Sequence, residues 1–522
     1  MKSLPGDIIL RIYTLLSALD ALALSGVNRS FHGLYQESSE VQYHVECQLA
    51  GVDDNPKCHL PISTRLEMLR EREEAWRKIS PKSVENVYEP HPSSDFYDFS
   101  RCHYLIGTTG LDTRKANGVM SYELYTKNKE RWSTFHVDEM LGFSCCIDEH
   151  DLLICIACST QPSDVIVNAH IFQHSTLSPH PEATEPVFPI RRYPRHIIDT
   201  AEDSISVRSE IAGDHLIIAV TSTEIGPAGV EEDYTRLFIL NWRTGEMCHV
   251  HWGPSVPGIA MLCHDIFVFP NLEKGCLDIY HIPTVDPGSM GSIHLIGRLN
   301  LPEPSNGNYS SIQCRAASNP VKDGSFPAYI PSIPFIDSSK NALIFFHIWV
   351  DSNSYDSSFK FTMVVHRHAL LNLLPPDSKF GSTPYFEVSW EEWGPDRTHW
   401  FVVGGGKKVR MTSVNGQRYV YNDAIERHGG QNMILLDFNP FNVKRALKQN
   451  TILRNPHSVQ RKITIDNPVF ANPFECRLPY LRILSEEKYH YGDGMINDNA
   501  IIAKVGLHVF VVFILQILMG VM

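Results

Sequence analysis

A small helical unit followed by a large, mainly antiparallel β region with propeller-like repetition is the predicted fold class, α+β with its two kinds of structure in separate domains. Three observations predict it. The first 34 residues carry apolar side chains at helical spacing, from about residue 96 the spacing changes to short runs of strand length, and those runs recur in pairs. A chain of 522 residues exceeds a single core, and 43% hydrophobic with 20% charged residues is ordinary globular composition.

The chain opens MKSLPGDIILRIYTLLSALDALALSGVNRSFHGL. Pro5 suits a helix N-terminus, where its missing N–H costs nothing, and Ile8, Ile9, Ile12, Leu15, Leu16 and Leu19 fall on one helical stripe. Asp20 is placed to cap a second helix carrying Leu22, Leu24 and Val27. Gly26 loosens the next turn, and Phe31 and Leu34 continue the apolar face into a third helix. Three helices this short cannot bury that much leucine and isoleucine among themselves, because a lone unit of roughly 40 residues is only marginally stable. The rest of the chain or a partner must cover the surplus.

Leu4-Pro5, the Ile8-Ile9-x-x-Ile12 run, the Leu22-x-Leu24-x-x-Val27 step and the Asn28-Arg29-Ser30-Phe31 close together resemble an F-box. Phe31 stands where that family often has tryptophan. In the family the L-P turn and first helices dock on a Skp-type adaptor, which bridges to a cullin ubiquitin ligase. The resemblance implies adaptor contacts at Leu4, Pro5, Ile8, Ile9, Ile12, Leu22, Leu24 and Val27. It also implies a non-catalytic receptor subunit that needs no cofactor and presents its second domain to a substrate protein.

Residues 38 to 51, SSEVQYHVECQLAG, read as a helix with Val41, Val45 and Leu49 inward and Gly51 as its stop. Residues 63 to 79, STRLEMLREREEAWRKI, read as a charged helix with Leu66, Leu69, Glu73 and Trp76 on one face and its mixed charges in solvent. This order is similar to fungal F-box proteins that continue into an all-β region. The expected organisation is an F-box unit (1–50), a helical linker (51–95), a β region (96–500) and an apolar tail (501–522).

In the β region a first run with a polar entry is followed, after a variable loop, by a second run. First runs lie at 101–107, 149–157, 212–220, 263–270 and 340–350, and second runs at 118–126, 165–174, 235–250, 275–282 and 359–370; further members lie at 399–405, 417–422 and 432–439. A strand–loop–strand unit recurring about seven times is what a β-propeller needs. The segment Leu237 to Glu246 resembles the strand and tight turn of a WD-type blade, with Gly245 supplying a positive φ. Irregular unit lengths keep a β-sandwich or an incomplete propeller as alternatives.

Local motifs point to no catalytic residue, metal or cofactor. Cys155-x-x-Cys158 lies within an apolar strand, where residues three apart face opposite ways. His366 and His368 share one strand face without a third ligand nearby, and Gly404-Gly405-Gly406-Lys407-Lys408 lacks phosphate-loop spacing. Neither a G-x-S-x-G elbow nor an HExxH helix occurs. Trp390, Trp393, Arg397 and Trp400 form an aromatic cluster with two readings, a rim that binds a partner or part of the core. A net charge of −13 without a basic run argues against nucleic acid. Twelve unevenly spaced cysteines fit a reducing cytoplasm or nucleus. The competing function is an enzyme or ligand-binding propeller whose site is assembled from separated loops.

Residues 505–522, VGLHVFVVFILQILMGVM, carry no formal charge. They read as a tail anchor tethering the chain to a membrane or as the last strand with an apolar extension, and the persistence of the run to Met522 favours the anchor.

Overall fold

A computed structural model of the chain describes residues 4–100, 102–110, 116–125, 130–195, 205–225, 231–251, 258–283, 293–305, 307–317, 319–321, 333–352, 355–376, 385–403, 413–421, 431–450, 458–489, 494–506 and 508–515. Gly404 to Lys408 lie outside them.

Four helices open the chain: α1 (Gly6–Tyr13), α2 (Ala18–Ser25), α3 (Arg29–Glu37) and α4 (Ser39–Ala50). Ser17, rather than the expected Asp20, caps α2. Its hydroxyl accepts the Asp20 N–H at 3.2 Å and donates to the Asp20 carboxylate at 2.6 Å, so Asp20 serves one turn in. Asn28 caps α3 and Ser38 caps α4. Ile9, Tyr13, Ala18, Ala21, Val41 and Val45 form the core of this bundle. The opposite side of α4, Tyr43 and Cys47, packs with Leu66, Met68, Leu69 and Phe335. Buried on two sides, α4 joins the bundle to the β region, and Gly51 ends it at φ +72°, the left-handed conformation glycine favours.

Helix α5 (Ile62–Lys78) buries Leu66, Leu69 and Trp76 as expected. Its charges are not all in solvent, which corrects the sequence reading. Arg72 is fully buried, pairs with Glu73 at 2.9 Å and Asp337 at 3.1 Å, and lies over the Phe335 ring. Glu73 also pairs with Arg418 at 2.6 Å, and Trp76 donates to the Asp498 carbonyl at 3.1 Å. The β region roofs the helix, so charges that would otherwise be solvated meet opposite charges from distant loops. A short antiparallel pairing of Val52–Asp54 with Phe335–Asp337 adds a second tie.

Among the described residues the rest of the chain forms six mainly antiparallel sheets of four or more strands, the long first one bending into two, so that seven sheet layers follow one another in succession; Ile463–Ile465 and Phe474–Cys476 form a separate two-stranded pair. The first contains Ser93–Phe99, His103–Thr109, Ala116–Glu123 and the first half of Trp132–Cys146. That long strand bends at Glu139, where φ is +50°, and its second half opens the next sheet with Leu152–Thr160, Asp164–Gln173 and Val187–Pro194. The third comprises Ile205–Ala212, His215–Ile225, Glu231–Asn241 and Met247–His251. The fourth comprises Ala260–Met261, Ile266–Asn271, Cys276–His281 and His294–Asn300, with Phe386–Val388 added in parallel at its edge. The fifth has Tyr309–Ala316, Leu343–Ser352, Tyr355–His366 and Thr398–Val402, and the sixth has Val414–Asn415, Arg418–Tyr421, Gln431–Asp437 and Tyr480–Tyr489. The seventh, Gly494–Ile496, Ala500–Lys504 and Val509–Ile514, is completed by Ser83–Tyr88 from the N-terminal side.

An apolar cluster joins each sheet to the next, and a further one closes the circle. Val87, Tyr104, Ile106, Met120, Met495, Ile502 and Phe510 unite the seventh sheet with the first. On the inside, Arg315 of the fifth sheet pairs with Asp98 of the first and lies 3.7 Å from Glu210 of the third. The expectation of a mainly antiparallel β region is met, and the sheets form a ring.

Two boundaries shift. Ser83–Tyr88 pairs along Val509–Ile514, so the β region begins before residue 96 and includes strands beyond residue 500. Val509–Ile514 lies between Ser83–Tyr88 and Ala500–Lys504, which corrects the favoured tail-anchor reading: its apolar side chains serve a strand buried on both faces. Among the described residues no helix is long and apolar enough to cross a membrane.

Candidate docking face

The 3.6-residue period of α1 turns Ile9 and Tyr13 inward and leaves Ile8 and Ile12 outward. With Leu4, Leu15, Leu19, Leu22 and Val27 these make seven of the fifteen exposed large hydrophobic side chains among the described residues, all within one short segment. Leu15 is 74% exposed and Val27 66%, where an ordinary surface scatters such residues singly. Pro5 is exposed beside them. Tyr13 donates to the Phe31 carbonyl at 3.1 Å, while the Gln48 side chain accepts the Ala18 N–H at 2.7 Å and donates to the Leu16 carbonyl at 3.3 Å. The turn between α1 and α2 is thus held from beneath by polar contacts while its outer surface stays apolar.

Of the residues expected on this face, Leu4, Pro5, Ile8, Ile12, Leu22 and Val27 are exposed and Leu24 is half-buried against the bundle. Ile9 is corrected: it is buried in the bundle core and holds α1 in place. Leu15, in the turn after α1, and Leu19, on α2, enlarge the face beyond the contacts the motif names, although the single helical stripe expected to carry them is broken at Tyr13.

The other predicted positions have structural roles. Trp390, Trp393 and Trp400 are buried at 4%, 0% and 0% exposure, packed edge-to-face with Phe474 and Phe361, so the rim reading of this cluster is corrected. Trp393 reaches the Asn300 carbonyl at 2.8 Å, and Arg397 donates to the Glu392 and Trp393 carbonyls at its own helix end. Cys155 and Cys158 face opposite clusters of the core. The strand Tyr355–His366 stops before Arg367 and His368, which begin a short helix, so His366 and His368 do not share a strand. Burial pushes the Cys158, Cys263 and Cys476 thiols up to about 12, away from a nucleophile's range.

Two clusters bring possible metal ligands within 4.8 Å of one another: Cys146, Glu149 and His150, and Cys263, His264 and Asp265. Arg243 lies 3.3 Å from His150 Nδ1, and because arginine only donates, Nε2 carries the proton of the neutral ring. Cys263 donates to Asp265 Oδ1 at 2.9 Å, and His281 lies 3.6 Å from Oδ2. Both clusters occupy the turn between the first and second strands of a sheet, where an aspartate recurs as a brace to the end of the third. Asp151 accepts the Ser175 N–H at 2.9 Å, Asp214 accepts from Arg243 at 2.7 Å, and Asp265 faces His281. This repeated bracing accounts for the second cluster without a metal.

A scan against family models gives no match, and no curated protein matches the chain. Several solved structures share a loose likeness. A functionally unknown protein from Desulfotomaculum acetoxidans is 13% identical over 66% of this chain and 83% of its own, with a TM-score of 0.29. Kluyveromyces lactis Hsv2p is 9% identical over 66% of this chain and 93% of its own, at 0.25. Penicillium chrysogenum alpha-L-arabinanase is 12% identical over 68% and 94%, at 0.25. Superposition this poor carries no functional argument. The molecule is described by its own geometry: a closed ring of antiparallel sheets with an apolar-faced helical bundle fixed to it.

Proposed function

We propose that the chain is an F-box receptor, docking on a Skp-type adaptor of a cullin ubiquitin ligase through α1 and α2 and holding a substrate protein with its β ring, read as a seven-bladed propeller. The exposed strip from Leu4 to Val27 carries this reading. Fully burying a leucine or isoleucine contributes about 1.5–3 kcal/mol, so each half-exposed side chain offers roughly 1 kcal/mol to a partner. Ile9, Tyr13 and the Gln48 contacts keep that surface preorganised, so little ordering cost is added on docking.

The test is co-purification with a Skp-type adaptor. Ile8→Asp with Leu15→Asp places two charges on the strip without touching the bundle core. Binding should fall by at least about a hundredfold, two lost contacts and two desolvated carboxylates being the cause, while thermal unfolding stays unchanged. Absence of adaptor binding by the unaltered protein refutes the proposal.

A further inference from the structure

A cleft of 1260 Å³ runs between the helices and the ring, lined by Leu19 of α2, Leu49 of α4, Leu69 of α5, and Phe441 and Leu447 of the helix Pro440–Asn450. Its lining carries seven cations and four carboxylates, an excess of positive charge on a chain whose net charge is −13. The four carboxylates are already paired within the protein, and those pairs engage Arg70, Arg77, Lys78 and Lys82, so the excess charge lies on the Pro440–Asn450 helix. Glu46 lies 3.4 Å from Arg70, Glu71 2.5 Å from Lys82, Glu73 2.6 Å from Arg418, and Glu74 2.8 Å from both Arg77 and Lys78. The Pro440–Asn450 helix contributes cations only, among them the exposed Lys444 and Arg445. Arg445 donates to the neutral Asn442 side chain at 2.6 Å, and Arg77 stands among its charged neighbours.

We propose that this cleft binds an acidic amphipathic peptide segment, its apolar side chains on Leu19, Leu49 and Leu447 and its carboxylates against Lys444 and Arg445. The volume exceeds the roughly 300–1,000 Å³ typical of small-molecule sites, and a groove with an apolar floor and a charged rim suits a helix or short extended peptide. Charge complementarity selects the sign of the occupant. The proposal rests on the receptor reading for the segment's role as substrate, and not for its binding. Leu19 belongs both to the cleft and to the docking strip, so an adaptor on α1 and α2 would sit beside a bound segment.

The experiment selects displayed random peptides of about sixteen residues on the purified full chain and measures the enriched ones by fluorescence anisotropy, against the parent and against Lys444→Glu with Arg445→Glu. Both positions are exposed, so the variant keeps the fold, which circular dichroism verifies. Enriched peptides should combine Asp or Glu with Leu or Phe, weaken as salt rises, and bind the variant at least about tenfold more weakly. No enrichment, neutral or basic consensus, or equal binding to the variant overturns the proposal. Displacement of the peptides by a Skp-type adaptor also overturns it, because the cleft would then belong to the adaptor surface while the receptor reading stands. Peptide binding by a chain that ignores the adaptor leaves the cleft assignment standing and removes the receptor reading.

Discussion

Replacing Arg72 by methionine tests how the helices are fixed to the ring. The guanidinium is fully buried, 2.9 Å from Glu73 and 3.1 Å from Asp337, and its plane covers Phe335. Methionine retains much of the packing volume and deletes the charge. Glu73 keeps Arg418, whose charge also acts on Asp337, but Asp337 loses its own ion pair and keeps the neutral donor Asn415 at 2.9 Å. Removing one member of a buried pair costs about 3–5 kcal/mol, because the remaining charge is desolvated without compensation. Burial already raises the Asp337 carboxyl to about 6. In the variant it should titrate higher still, so the penalty shrinks once acid neutralises it. Urea unfolding at about pH 8 and about pH 5 should show the larger loss at the higher pH. Adding Asp337→Asn to Arg72→Met should return at least half of the lost stability, since two neutral groups replace one orphaned ion. A loss below about 1 kcal/mol at pH 8, or a double variant as unstable as the sum of its parts, would refute the reasoning.

Acid should destabilise the ring through buried histidines. His347, His366 and His399 are lowered to about 4 by burial, so the unfolded chain binds protons at these sites from about pH 6.5 downward while the folded chain does not. Glu210, raised to about 7, and Asp337 oppose this by binding protons in the folded state first, leaving a net loss of the order of 1–3 kcal/mol per pH unit near pH 5. Chemical denaturation at intervals across this range measures the slope, and rising stability on acidification contradicts the assignment. Deleting residues 509–522 should unfold the seventh sheet and expose Ser83–Tyr88, giving aggregation in detergent-free buffer. A well-folded truncated chain, or membrane extraction of the full chain through these residues, counts against the strand.

The legible half of the ring was the part buried on both faces. The five paired runs in the sequence fall on the second and third strands of the first five sheets, such as His215–Ile225 with Glu231–Asn241, where apolar runs survive because neighbours cover both sides. First strands escaped notice because some are minimal, as Ala260–Met261 and Val414–Asn415 are, and Ser83–Tyr88 because it is half exposed. Of the stripe read from helical spacing, Ile8 and Ile12 face outward from α1, but Ile9 turns inward and Leu15, Leu16 and Leu19 lie beyond its end at Tyr13. Trp390, Trp393 and Trp400 were ambiguous because aromatic residues beside charges look alike at a rim and over a core, and only Phe470 and Phe474, some 70 residues on, decide between them. The cleft left no local trace, because Leu69 and Leu447 meet only in the fold.

The strand Ser83–Tyr88 follows α5 after only a short turn, and its partner Val509–Ile514 lies about 420 residues further along the chain. The ring therefore behaves as a clasp whose two halves lie far apart in sequence, and such distant pairing is slow. The bundle beneath the apolar face of α1 and α2 is built from local contacts, yet α5 gains its Asp337, Arg418 and Asp498 contacts only once most of the ring exists. The helical bundle can therefore form before its anchorage does, and closure of the ring is the step that fixes one to the other.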